Sequence, residues 1–138
     1  MKNTRARQIL GYHMLITGCL LGFILLSGCS RGTRPELGAV HGKVTLDGKP
    51  LKGAGVGFRP EGGGRESMSA TDEEGNYSLN YIRDIQGAAV GWHTIRISTA
   101  NPRAGKPELV PKQYNTASTL RKKIIAGDNV IDFDLKSQ

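Results

Sequence analysis

Cysteine is almost missing from this chain. The sequence of 138 residues holds two, Cys19 and Cys29, and none follows position 29. The body of the chain therefore has no disulfide, no thiol nucleophile and no cysteine-built zinc site. Histidine is nearly as scarce. Beyond His13 there are only His41 and His93, far apart in sequence, so no metal cluster and no catalytic dyad is marked. No Gly-x-Ser-x-Gly segment occurs, which removes the usual serine nucleophile. Long apolar runs are missing too. The one at residues 14–26 falls well short of the roughly 20 residues of a membrane span, and Gly18 and Gly22 weaken it as a helix. Downstream of it no window carries a helical period.

The N-terminal segment is well defined by what it does contain. Met1 to His13 carries Lys2, Arg5 and Arg7 and no acidic residue, an apolar stretch follows to Leu26, and Ser27 and Gly28 are small. A charged head, a short apolar run and a small-residue site make an export signal. Leu26-Ser27-Gly28-Cys29 resembles the lipobox of bacterial lipoproteins. The resemblance implies cleavage before Cys29, acylation of Cys29, and a membrane partner held through that lipid. Ser30 replaces the aspartate that signals inner-membrane retention in many such lipoproteins, so the outer membrane is favoured. The expected organisation is a signal peptide at 1–28, a tether at 29–38 and one domain at 39–138. The chain's net charge is +7, and losing Lys2, Arg5 and Arg7 with the signal leaves +4, too small an excess to mark a nucleic-acid partner. Arg31 and Arg34 beside the anchor keep the tether soluble or favour anionic headgroups.

The remainder reads as strands. Val40, Val44 and Leu46 alternate with His41, Lys43 and Thr45, and Asp47-Gly48-Lys49-Pro50 is a turn. Ala54, Val56 and Phe58 share a face opposite Gly55, Gly57 and Arg59. Met68 and Ala70 are expected inward, with Ser67, Ser69 and Thr71 outward. Tyr77, Leu79 and Tyr81 form the next inward face, and residues 83–91 a loop. His93, Ile95, Ile97 and Thr99 alternate against Trp92, Thr94, Arg96 and Ser98. Residues 101–118 show no period, Leu120 to Ile125 is a strand, Gly127-Asp128-Asn129 a turn, and Val130 to Leu135 the last strand. The expectation is an all-β, seven-stranded antiparallel β-sandwich following a signal helix, with a small closed barrel as the alternative.

Gly42-Lys43-Val44, Asp47-Gly48-Lys49-Pro50-Leu51, Gly53-Ala54-Gly55-Val56 and Thr71-Asp72-Glu73-Glu74-Gly75-Asn76-Tyr77-Ser78-Leu79 together resemble the carboxypeptidase regulatory-like domain. The resemblance implies a transthyretin-like (prealbumin-like), Ig-like sandwich that serves exported proteins as an accessory module. It implies no activity, because most of these positions are turns or core. The related hydroxyisourate hydrolases need a Tyr-Arg-Gly-Ser ending, where this sequence reads Asp134-Leu135-Lys136-Ser137-Gln138.

Asp72, Glu73 and Glu74 offer hard oxygen ligands, but without EF-hand spacing a solvated turn is the plainer account. Gly62-Gly63-Gly64-Arg65 lacks the Gly-Lys-Ser/Thr ending of a phosphate loop. A Lys43 isopeptide bond would need a buried lysine on what is a polar face. Arg121-Lys122-Lys123 reads as a solvated face with Asp132 and Asp134 across from it. The 101–118 loop is the leading functional candidate, with Lys112, Tyr114 and Asn115 as contact residues, or else it covers a sheet edge. Trp92, Tyr114 and Asn115 together would make a sugar platform if they share a face. The expected function is a non-catalytic module of the envelope contacting a protein or, as the alternative, a carbohydrate or peptidoglycan. No enzyme activity, cofactor or metal is expected.

Overall fold

Alternating burial sets the first strand. Along β1 (Leu37–Leu46) Val40 and Val44 are buried while His41 and Lys43 face out. The computed structural model describes residues 34–138. The expected signal helix, the cleavage residues Leu26, Ser27 and Gly28, and Cys29 lie outside the described residues. Pro35–Gln138 forms one compact unit. In chain order β1 is followed by β2 (Lys49–Pro50), β3 (Gly55–Pro60), β4 (Ser67–Ala70), β5 (Asn76–Ser78) and β6 (Asn80–Ile82). Then come β7 (Ile85–Gln86), β8 (Ala88–Ala89), β9 (Gly91–Ser98), β10 (Arg121–Ile124), β11 (Gly127–Val130) and β12 (Phe133–Leu135). Among the described residues the only helical pieces are single 3-10 turns at Pro102–Ala104 and Lys112–Tyr114.

The chain is all-β and forms two sheets in a sandwich-like arrangement. In the first, β1 is central: β2, β5 and β8 pair with it antiparallel on one side, and β11 and β12 pair with it parallel on the other. The second sheet has the order β10-β9-β3-β4-β6-β7 and is antiparallel throughout. The core is apolar and dense around Phe58. Its ring lies 6.4 Å from Tyr77, 6.2 Å from Phe133 and 6.1 Å from His93, centroid to centroid. Val40, Val44, Leu79, Ile95, Ile97 and Ile124 close around it. Burying each such side chain contributes roughly 1.5–3 kcal/mol.

The turn residues act as their chemistry suggests. Asp47 and Gly48 both have positive φ, 52° and 78°, as the tight hairpin from β1 to β2 requires. Asp72 accepts from the backbone N–H of Glu74 (3.0 Å) and Asn76 (2.7 Å) and so holds its own turn.

Several expectations need correction. The face of β4 is inverted: Ser67 and Thr71 are buried and Met68 is 57% exposed. Register explains it, since Ser67 lies opposite Phe58 and Met68 opposite Gly57. Ser67 fits inside beside Phe58, and the Thr71 hydroxyl donates to Leu51 O while accepting from Ala54 N. Gly127–Asn129 is not a turn. It is the start of β11, satisfied by its parallel pairing with β1. The expected strand from Val130 to Leu135 is interrupted at Ile131–Asp132, where the Asp132 carboxylate takes the N–H of Lys43. The strand through Tyr77 breaks at Leu79, whose N–H bonds Val40 O, so that β5 joins the first sheet and β6 the second. Residues 83–91 contain β7 and β8, and β1 begins at Leu37, two residues inside the expected tether. With these breaks the expected seven strands become twelve segments, most of them two to four residues long. Finally, β10 pairs with β9. Arg121–Lys123 therefore face Thr94, His93 and Trp92, and Asp132 and Asp134 belong to the other sheet.

Candidate functional site

The residues expected to make contacts are not brought together. Trp92 stands on the outer face of β9, 48% exposed, with the Arg121 guanidinium 4.9 Å above its ring. Arg121 is in turn held by both oxygens of Glu61, each at 2.6 Å. Asn115 is buried and its amide donates to Val110 O at 2.9 Å. Its carbonyl accepts from Arg96 Nε, four residues along β9 from Trp92 and so about 13 Å away by strand rise. The Tyr114 ring packs against the core and its hydroxyl accepts from the Lys136 N–H at 3.3 Å, beyond β12 of the other sheet. Lys112 is exposed, but its carbonyl is taken by Asn115 and Ala117. These residues line no common aromatic platform.

The 101–118 loop instead covers the half of β9 that β10 leaves unpaired. Ile95 N–H donates to Leu120 O, and Ser118 Oγ donates to Ile95 O. Glu108 is the clasp. Its carboxylate accepts from Ser98 Oγ at 2.5 Å, Thr99 N at 2.9 Å, Thr99 Oγ1 at 3.0 Å and Val110 N at 3.0 Å. Burial alone would push this carboxyl up, but the four hydrogen bonds outweigh it and hold Glu108 below the usual glutamate range.

The titratable groups that sequence singled out also stay apart. His41 pairs with Asp128 at 3.2 Å on the outside of the first sheet. His93 lies in the core, its Nδ1 donating to Gly91 O at 3.1 Å and its Nε2 without a partner among the described residues. Burial holds the His93 imidazole below its ordinary value, against the opposing pull of the Gly91 carbonyl and Glu61. Ser67 Oγ is also buried and unpaired, and it makes no hydrogen bond to His93. Burial pushes the Tyr77 phenol well up, and its hydroxyl donates to Ile131 O at 2.7 Å. Glu73 of the acidic turn pairs with Lys52. Among the described residues no group of three or more His, Cys, Asp or Glu is placed to hold a metal ion.

A groove is where the outer surface is most nearly a site. It has a volume of about 420 Å³ and lies on the outer face of β3, β4 and β9. Gly55 and Gly57 floor it, lying opposite Ser98 and Arg96 on one side and Ala70 and Met68 on the other. Glu66, Arg96 and Lys106 supply its charge, and Met68 its apolar wall. Glu66 is paired to Arg59 at 3.3 Å. Arg96 and Lys106 have no acidic partner among the described residues, so the groove is net cationic. A Cβ at Gly57 would come within 2.5 Å of the Glu66 carboxylate, so the glycine makes room for Glu66 to lie across that part of the floor. The sequence does signal this: glycine at alternate positions of a strand strips one face of side chains. Reading those positions only as the side opposite Val56 and Phe58 misses it.

No family model matches the chain, and a search of curated proteins finds no significant relative.

Proposed function

We propose that this chain is a lipid-anchored, non-catalytic binding module of the cell envelope, built as a carboxypeptidase regulatory-like, transthyretin-like domain. Its groove over Gly55 and Gly57 takes a loop or extended segment of a partner protein. The groove carries this reading. It is open, has a polypeptide-like mixture of apolar wall and polar rim, and sets Arg96 and Lys106 to meet an acidic side chain. The domain assignment is supported by the turn work of Asp47-Gly48 and Asp72 and by the burial of Tyr77 and Leu79, the positions on which the resemblance rests. The anchoring is supported by Leu26-Ser27-Gly28-Cys29 behind its basic, apolar leader. Catalysis has no such support, because no nucleophile, base and acid converge among the described residues. The glycan alternative is weakened by the separate placements of Trp92, Tyr114 and Asn115.

Two experiments test the two halves. Intact mass of protein extracted from membranes should begin at Cys29 and carry acyl chains, and Cys29→Ala should lose them and partition away from detergent. A photo-crosslinking residue placed at Met68 in cells should give one discrete protein adduct. That adduct should vanish when Gly55→Val and Gly57→Val fill the floor. An adduct insensitive to the filled floor, or none, would remove the groove from the argument.

A further inference from the structure

The opposite end of β9 carries a second surface. Gly91 and Ile124 are cross-strand partners, and Val90, Trp92, Lys123 and Ile125 are their immediate neighbours. Ile124 turns into the core, and Lys123 and Ile125 on either side of it are exposed. Val90 is 39% exposed, Trp92 48% and Ile125 57%. Three large apolar side chains thus stand in water within one or two residue steps of each other. Lys123 lies directly opposite Trp92 on the same face, and Lys122, opposite the buried His93, is exposed at the rim of the edge strand; neither lysine has an ion-pair partner among the described residues. The nearby acids are engaged or few: Glu61 holds Arg121, Asp128 meets His41, and Glu36 remains.

The chain enters the fold at this same end. Val90 N–H donates to Glu36 O at 2.9 Å, Leu37 pairs with Ala89, and the Gly38 Cα lies against Ile125 O, where a Cβ would sit 2.1 Å away. Only the segment from Cys29 to Glu36 lies between that point and the proposed acylation site, and fully extended it reaches about 24 Å at most. The apolar and basic end is thus the end held closest to lipid.

We infer that the Val90–Trp92–Ile125 surface, with Lys123 on its face and Lys122 at its rim, docks on the anionic headgroup layer of the membrane that holds the chain. The inference rests on the acylation of Cys29 proposed above. Tryptophan suits this boundary because its ring is apolar and its indole N–H is polar. The lysines add attraction to anionic headgroups, an attraction that acts only near the surface and that salt screens. Docked this way with β9 upright, its Ser98 end stands about 23 Å further out by strand rise, which holds the groove clear of the headgroups.

Trp92 is the only tryptophan of the chain, so its fluorescence reports this surface alone. Full-length protein extracted from membranes, its acylation checked by mass, is reconstituted into vesicles of phosphatidylglycerol with phosphatidylethanolamine, and into neutral phosphatidylcholine vesicles. Brominated lipids should quench Trp92 in the anionic vesicles, and a Lys122→Glu, Lys123→Glu variant with unchanged circular dichroism should lose most of that quenching. Acylated protein whose Trp92 is not quenched overturns the docking and leaves the anchoring intact. Equal quenching in neutral vesicles overturns the anionic assignment. Trp92 unquenched in vesicles yet shielded from acrylamide in native envelopes would give the surface to a protein partner instead. A chain without acyl groups removes the anchoring, and the docking with it.

Discussion

The two ends of β9 face water in opposite ways. At the Gly91 end the outer face is crowded: Arg121 lies over Trp92 and is held by Glu61 beyond β3, and Lys123 stands opposite Trp92. At the Ser98 end it is low: Gly55 leaves the sheet backbone as a floor, and Gly57 beside it makes room for the Glu66 carboxylate. Glycine has a different role at each end. Gly38 lies beneath the crowded end, where its missing Cβ lets β1 pass against Ile125 O. Gly55 has nothing nearer to its absent Cβ than Ser98 O at 3.6 Å, an ordinary contact. The first glycine is needed for the fold, and the second is free to serve a surface.

Substitution at these glycines should give the largest contrast. Gly38→Val forces a side chain onto backbone and should cost about 3 kcal/mol in urea unfolding, as overpacked sites do. Gly55→Val should change stability by no more than about 0.5 kcal/mol, as exposed positions do, while closing the groove. Equal costs at the two positions would erase the distinction. Next in size is the clasp of the groove end. Glu108→Ala strands the N–H of Thr99 and Val110 and should cost about 1 kcal/mol, a value kept low because the site is partly wet. Hydrogen exchange should quicken in residues 99–118 and not around Trp92.

Acid should act through His93, under the crowded end. Burial holds its folded-state value below the ordinary 6.5, so on acidification the unfolded chain binds the proton first. Stability is therefore full above about pH 6.5 and declines as pH falls from there toward the depressed folded value. His93→Leu should flatten the melting temperature across that window, and a slope that survives the substitution would place its origin elsewhere. The smallest effect belongs to Arg121→Ala. The exposed pair with Glu61 adds little to stability, so the unfolding midpoint should hardly move. Trp92 emission should shift to the red as the guanidinium leaves its ring.

How far the sequence disclosed this depends on whether a residue's role is local. His93, Ile95 and Ile97 announce β9 by alternation, and Asp47-Gly48 announces its hairpin by backbone preference. Ser67 and Thr71 mislead because polarity suggests water, whereas the register with β3 turns Ser67 inward beside Phe58 and backbone partners at Leu51 and Ala54 satisfy the Thr71 hydroxyl. Gly127-Asp128-Asn129 misleads because turn formers join a strand when a distant partner, here β1, supplies the hydrogen bonds. The groove needs three strands to exist, so only its glycine floor is visible in one. Asn115 shows the same limit: beside Tyr114 it reads as a contact residue, yet its amide closes the loop on Val110.

The parallel pairing of β1 with β11 and β12 has a mechanical consequence. The register runs unchanged from Gly38↔Gly127 to Leu46↔Leu135, so the chain enters at one end of this ladder and leaves at the other. Tension applied between the two ends of this unit pulls the two strands past each other along their length. Their hydrogen bonds then share the load together instead of opening one after another from an end. Forced unfolding follows the height of the barrier, not the overall stability. Pulled from its ends, this small domain should give way at a higher force than when pulled across β9 and β10, so its stiffness depends on the direction of the load and not on its equilibrium stability alone.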